Sequence, residues 1–142
     1  MRIRDACQKD VAALFSLLNS SEYLKANEDD SYGESYVRSR LDHPIIKMLV
    51  VEEDQGPVGL LVAEIWEDLK YCYNDILVIH PDHQGKGLGK ALMDELERRC
   101  REKRLDNIFL LTNTKNDGMQ RLVETKGYKK GYPFYIYEKK LT

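Results

Sequence analysis

The sequence predicts an α/β (α+β) fold in which a mixed, mostly antiparallel sheet of six or seven strands is flanked by about four helices. Three observations indicate this class: β-branched runs between turns over Ile45 to Ile79, a helical repeat of apolar residues after Gly87, and a short apolar run at Ile108 to Thr112. A strand-helix-strand unit over 71–112 should be parallel and right-handed, which makes the sheet mixed. The predicted order is β-α-α-β-β-β-α-β-α-β-β.

The N-terminal half begins with a strand at Ile3, followed by an amphipathic helix whose apolar face is Val11, Leu14, Phe15 and Leu18. A polar, acidic segment and a weaker helical pattern that ends before Pro44 come next. Ile45 to Val51 and Val58 to Trp66 are separated by turn residues and predict a β-hairpin. A third strand from Tyr71 should end at His80-Pro81, because proline cannot donate to a ladder.

The C-terminal half predicts a helix from Leu88 with its apolar stripe on one side and charged residues on the other. A buried strand at Ile108 to Thr112 and a short helix at Asn116 to Thr125 should follow. The alternation of Phe134 and Ile136 with two tyrosines is typical of a half-buried strand. We therefore expect a final strand pair over Tyr128 to Leu141, broken at Gly131 to Pro133.

Length and composition predict one domain over 1–142, since 142 residues with 42 % apolar and 32 % charged residues suit a single globular core. No apolar run reaches the roughly 18 residues of a membrane span, so we expect a cytoplasmic protein without a membrane partner. The net charge of -2 gives no reason to bind nucleic acid. Cys7, Cys72 and Cys100 are scattered and predict packing residues and no metal site.

The motif that indicates chemistry is Gln84-Gly85-Lys86-Gly87-Leu88-Gly89, between a strand end and a helix start. Free backbone N–H groups and the helix dipole favour an anion there, and a pyrophosphate would fit. A Walker A loop needs Ser or Thr after Gly89-Lys90, where Ala91 stands, and a dinucleotide fingerprint needs glycine at Lys90. A tight turn without a ligand stays the plain alternative.

The segment Leu77-Val-Ile79-His-Pro81, followed by Gln84-x-x-Gly87-x-Gly89, resembles motif A of the GCN5-related N-acetyltransferase (GNAT) family. The resemblance covers nearly all of the chain through the element order. It implies an acyltransferase that uses acetyl-CoA as co-substrate and no metal. An acetyl group would pass to a primary amine of a small molecule or peptide by direct attack in a ternary complex.

The resemblance also implies roles for individual residues. The backbone of the strand at Leu77 to Ile79 would hold the pantetheine arm in a gap beside the next parallel strand. The loop amides would hold the pyrophosphate, with Lys90 at its edge. The residues assigned to CoA are therefore Leu77, Val78, Ile79, Gln84, Gly85, Lys86, Gly87, Leu88, Gly89, Lys90 and Asn116.

Catalytic groups are less defined than the CoA residues. Many family members carry a tyrosine that protonates the leaving thiolate at the position of Val123, so another phenol, such as Tyr128, Tyr132 or Tyr135, takes that role or the thiolate leaves unaided. For the general base, Glu64 and Asp75 are carboxylates in apolar strands. Tyr73 shares a face with Asp75 and Leu77 by the period of two. His80 and His83 are expected to be loop residues.

The acceptor is indicated only by charge. Glu22, Glu28, Asp29, Asp30 and Glu34 cluster over the acceptor side that the resemblance implies, and they favour a cationic amine, although such loops are often only solvated. The alternative function is a non-catalytic acyl-CoA-binding regulatory module, which Val123 favours. A nucleotide-dependent enzyme is disfavoured by Ala91. C-terminal edge strands would allow a homodimer without requiring one.

Overall fold

One five-stranded sheet, with the order β1-β2-β3-β4-β5, forms the centre of the molecule. The computed structural model describes residues 1–24 and 32–142. Neighbours from β1 to β4 are antiparallel, and β4 and β5 are parallel. The predicted mixed, mostly antiparallel class is confirmed, with five strands in the described ranges. The strands are β1 (Arg2–Asp5), β2 (Ile46–Glu53), β3 (Gly56–Trp66), β4 (Tyr71–Ile79) and β5 (Asn107–Leu110).

Helices cover both faces of the sheet and divide its core in two. On one face, α1 and α2 pack against apolar residues of β2, β3 and β4. On the other face, α3 and α4 pack against residues of the same strands that point the opposite way. The helices are α1 (Val11–Asn19), α2 (Glu34–Leu41), α3 (Leu88–Glu102) and α4 (Asp117–Thr125). The two sides are called the α1–α2 face and the α3–α4 face below.

Most periodic residues of the helices make the predicted contacts, but Phe15 of the predicted α1 face is 36 % exposed. Leu14 and Leu18 of α1 are fully buried, as are Leu92 and Leu96 of α3. The opposite side of α3 carries ion pairs at i, i+4 spacing, such as Lys90 with Asp94 at 2.7 Å. The burial pattern therefore follows from the 3.6-residue repeat of the sequence.

A β-bulge interrupts β4 at Asp75. Val62 of β3 is opposite Ile76, and Ala63 is opposite Asn74, so Asp75 has no partner on β3. The extra residue reverses the alternation of side chains along β4. Cys72 packs on the α3–α4 face before the bulge, and Leu77 packs on that same face after it.

The predicted sharing of one strand face by Tyr73, Asp75 and Leu77 is therefore wrong. Tyr73 points to the side opposite Cys72, whereas Leu77 packs with the α3–α4 core. A strict period of two holds only in a regular strand, and the bulge adds one residue between these positions. Tyr73 and Asp75 nevertheless stay close enough for their side chains to interact.

The predicted final strand pair is also wrong. The Tyr128 N–H donates to the Val123 carbonyl at 2.9 Å. After Tyr128, residues 129–142 form no strand. Phe134 is 74 % exposed and Tyr137 is 91 % exposed. Alternation indicates a half-buried strand only where a sheet face is available, and here the segment lies away from the core. β5 is consequently an edge strand in the described part of the chain.

The three cysteines differ in their burial. Cys72 and Cys100 are buried in the α3–α4 core, as predicted, but Cys7 is exposed, so its assignment as a packing residue is wrong. Within residues 1–24 and 32–142, no helix has both the length and the apolar character needed to cross a membrane.

Candidate functional site

The loop before α3 exposes backbone amides in the geometry expected of an anion site. Gly87 is the N-cap of α3, with φ 81°, and Gly85 has φ 79°. These are left-handed conformations that favour glycine. The first intrahelical bond runs from Ala91 N–H to the Gly87 carbonyl at 3.0 Å, so the amides of Leu88, Gly89 and Lys90 have no helical acceptor. A Cβ at Gly85 or Gly87 would meet no atom within 4 Å, so space is open beside the loop.

Side-chain hydrogen bonds hold this loop against the end of β4. The Gln84 Nε2 group donates to the Ile79 carbonyl at 3.1 Å. His80 Nδ1 accepts from the Asp82 amide at 3.1 Å, within a short 3₁₀ turn. His80 thus has a local structural contact, as expected of a loop residue. Gln84 connects strand and loop through its side chain, and its backbone N–H donates to the Pro81 carbonyl at 3.5 Å.

β4 and β5 separate after four residues, and this separation makes a cleft. Tyr71 to Asn74 pair with Asn107 to Leu110, and the ladder ends there although β4 continues to Ile79. The main chain of Leu77 to Ile79 therefore has no β5 partner on that side. The cleft is lined by Asn74, Asp75 and Leu77 of β4, by Leu111 and Thr112 after β5, and by Tyr23, Leu24, Asn116 and Met119.

Asn116 lies at the side of the cleft, at the start of α4. Its Oδ1 accepts from the Met119 amide at 3.1 Å and caps the helix. The cap uses the oxygen of the carboxamide, which leaves the nitrogen as a donor. The family resemblance implies that Asn116 contacts the CoA arm, and its position in the cleft is compatible with that role.

Asp75 is the titratable carboxylate that lines the cleft. The Tyr36 hydroxyl donates to Asp75 Oδ2 at 3.4 Å. Burial raises the pKa of Asp75, and the negative charge of Glu64 raises it further. Arg40 and the hydroxyls of Tyr36 and Tyr73 act in the opposite direction, but the net direction is upward. A carboxylate with a raised pKa in a cleft is well suited to accept a proton near neutral pH.

Tyr36 was not among the residues predicted from the sequence. It lies on α2, with the Arg40 guanidinium 3.5 Å from its ring centroid. Its ring also meets Tyr32 edge to face at 4.7 Å. Burial and the nearby Asp75 charge raise the pKa of Tyr36, so its hydroxyl stays protonated and can donate. The i, i+4 spacing of Tyr36 and Arg40 was a visible signal of their contact, but nothing in the sequence linked Tyr36 to Asp75.

Glu64 and Tyr73 lie beside Asp75 but are not among the residues that line the cleft. They are opposite each other on β3 and β4. Glu64 Oε2 accepts from Trp66 Nε1 at 3.3 Å. The Tyr73 ring is 4.9 Å from that of Phe109 on β5. Both side chains therefore affect the pKa of Asp75, which Glu64 raises and the Tyr73 hydroxyl lowers.

Tyr128 lies elsewhere. Its side chain packs against the α3–α4 core, and its hydroxyl is buried. Burial raises the pKa of Tyr128, with a further contribution from Glu97. It is not among the residues that line the cleft, and Val123 is buried in the same core. Tyr132 and Tyr135 are exposed on the C-terminal segment.

The structure describes Glu22 and Glu34 of the predicted acidic cluster. Glu28, Asp29 and Asp30 lie outside the described residues. Glu22 belongs to a 3₁₀ turn next to Tyr23 and Leu24 of the cleft, whereas Glu34 pairs with Arg38 at 3.4 Å. Across the part of the chain that the structure describes, no group of three His, Cys, Asp or Glu side chains could hold a metal ion.

Comparison with known proteins decides the family. The sequence model of the acetyltransferase (GNAT) family matches residues 11–128. The chain belongs to the GNAT family. It is an N-acetyltransferase by family, and the resemblance carried by motif A is confirmed.

Individual relatives agree with this assignment. An acetyltransferase of Pectobacterium atrosepticum is 26 % identical over 129 residues, which cover 91 % of this chain and 88 % of that protein. The L-methionine sulfoximine/L-methionine sulfone acetyltransferase of Salmonella typhimurium is 30 % identical over 70 % of this chain and 65 % of its own. An aminoglycoside acetyltransferase from an uncultured soil sample, solved with sisomicin, has a TM-score of 0.76 and 17 % identity over 97 % of this chain and 96 % of its own.

Proposed function

We propose that this GNAT chain transfers an acetyl group from acetyl-CoA to a primary amine within a ternary complex. The observation that carries the proposal is the early end of the β4–β5 ladder next to the free amides of α3. The amides at the start of α3 suit a diphosphate, and the cleft between β4 and β5 suits a thioester. The position of Asp75 in the cleft supports a reaction at the thioester end.

The residues present fit CoA. The amides of Leu88 to Lys90, with the open space beside Gly87, would hold the pyrophosphate. Lys86 is exposed at the loop and offers a cation to the same group. The main chain of Leu77 to Ile79, which has no β5 partner, would bond the pantetheine arm, and the Asn116 carboxamide would contact its thiol end. CoA supplies the activated acyl thioester.

Proton transfer is assigned to Asp75. An acceptor arrives as an ammonium ion and must lose a proton before its nitrogen can attack. Asp75 Oδ2 would take that proton, directly or through one water, while the Tyr36 hydroxyl holds the carboxylate in place. An amide of β4 would stabilise the oxygen that gains negative charge. The thiol of CoA needs no dedicated acid, because its pKa is about 8.5.

The acceptor proposed is a cationic amine. The negative charge of Glu64 raises the pKa of Asp75, so a positive substrate would relieve the repulsion at Asp75. The named substrates of the Salmonella typhimurium relative are amino acid analogues, and sisomicin was bound to the aminoglycoside acetyltransferase. Both observations support an amine acceptor without selecting one.

The test is release of free CoA thiol from acetyl-CoA across a panel of amines. We expect release that depends on both acetyl-CoA and an amine, with a preference for cationic acceptors that weakens as salt increases. Thermal stabilisation by CoA with no thiol release from any amine would instead favour the non-catalytic acyl-CoA-binding module. No stabilisation by CoA would contradict the proposal itself.

A further inference from the structure

Asn74 is a buried polar residue whose carboxamide makes no hydrogen bond within the described part of the chain. It is only 3 % exposed. Neither its Nδ2 nor its Oδ1 finds a partner among the described residues, although both atoms are shielded from solvent. A buried amide left without partners is costly, and such groups are rare in folded proteins. The position therefore needs a physical explanation.

The location of Asn74 supplies one. It forms the last β4–β5 rung, opposite Leu110, and directly precedes the bulge at Asp75. It also lines the cleft, together with Asp75 and Leu77. The carboxamide thus lies where the two strands separate. A ligand that enters the cleft at this separation would lie beside Asn74.

We propose that the Asn74 carboxamide binds the acyl-pantetheine arm at the point where β4 and β5 part. This inference rests on the proposed use of acetyl-CoA. The chemistry is complementary, because the arm carries amide N–H groups and carbonyl oxygens. Asn74 Nδ2 donates to a carbonyl oxygen of the arm, and Oδ1 accepts from an amide N–H or an ordered water. Asn74 is a positioning residue that fixes the depth of the thioester next to Asp75.

Asn74→Leu tests this assignment, because leucine has a similar size and removes both polar atoms. Without ligand, we expect the melting temperature to rise by about 2 to 5 °C, since the unpaired amide no longer has to be buried. With ligand, calorimetry should show a Kd for CoA about tenfold higher, or about 1.4 kcal/mol. Asn74→Ala should weaken CoA binding similarly. Because alanine is small, this variant separates the loss of the amide from any overpacking that leucine causes.

Tyr128→Phe is the matched control, because the Tyr128 hydroxyl is a second buried group without a partner among the described residues and lies outside the cleft. It should leave the Kd for CoA within about twofold of wild type. If Asn74→Leu and Asn74→Ala also keep the wild-type Kd, the amide does not bind the arm and the inference is overturned. Wild-type protein without CoA affinity would instead overturn the proposed function, so the two failures are distinguishable.

Discussion

Replacing Asp75 with asparagine tests which carboxylate takes the proton from the acceptor. The substitution keeps the size of the side chain and removes the base. Because a positioned general base contributes about 100-fold or more, we expect kcat to fall by at least that factor, or about 2.7 kcal/mol in the barrier. Affinity for CoA should change little, since Asp75 is assigned no contact with the diphosphate.

The same substitution should stabilise the protein at neutral pH. Burial raises the pKa of Asp75, so the folded state favours the protonated carboxyl. The stability contributed by this group is present below its unfolded pKa and is lost as pH rises through the folded pKa. The loss is about 1.4 kcal/mol for each pH unit that separates the folded pKa from the unfolded pKa. Asparagine cannot ionise. Asp75→Asn should therefore melt above wild type at pH 8, and the difference should shrink toward pH 4.

Glu64→Gln provides the control for assigning the base. Glu64 raises the pKa of Asp75, so its removal should move the acid limb of the kcat/KM profile to lower pH while most of kcat remains. The groups that face Asp75 besides Glu64 are Tyr36, Tyr73 and Arg40, and they are unchanged in this variant. If Asp75→Asn retained wild-type kcat, or if only Glu64→Gln lost it, the assignment of Asp75 would be refuted.

Two further variants test the loop and the fold. Gly87→Ala should lower stability by about 1 kcal/mol because φ is positive, and should raise the Kd for CoA about tenfold by turning the loop amides. Gly56→Ala, at φ 111° in the first residue of β3, should cost similar stability and leave the Kd unchanged. Equal Kd values in both variants would contradict the loop assignment. Arg4→Met should cost about 3 kcal/mol in urea unfolding, because it leaves the buried Asp10 carboxylate without its 2.8 Å partner. Exposed Arg2→Met should cost under about 0.5 kcal/mol, and a similar loss in both would disprove this explanation.

Most of the fold could be predicted because its patterns are local. The period of the apolar residues in α3 and the turn residues between β2 and β3 depend on neighbours in sequence, and both elements form as expected. The bulge at Asp75 depends on how β3 and β4 pair, which periodicity does not reveal. In the C-terminal segment, Phe134 and Ile136 alternate with tyrosines as in a half-buried strand. Both side chains are nevertheless exposed, because the segment does not pack on the sheet.

The candidate site was also predictable only where its residues form a local motif. The glycine loop was predictable because Gly85 and Gly87 meet a backbone requirement that a short motif expresses. Asn74 and Tyr36 were not, because their importance arises from contacts between elements distant in sequence. No pattern in the sequence marks Asn74, because its burial depends on how β4, β5 and α4 pack together.

Hydrogen exchange of individual backbone amides, measured by NMR with and without CoA, tests the central claim most directly. We predict that CoA slows exchange at Leu88, Gly89 and Lys90 and along β4 at Leu77 and Ile79, because these amides would then bond the diphosphate and the pantetheine arm. Slowed exchange confined to other parts of the chain, with these five amides unchanged, would contradict the account.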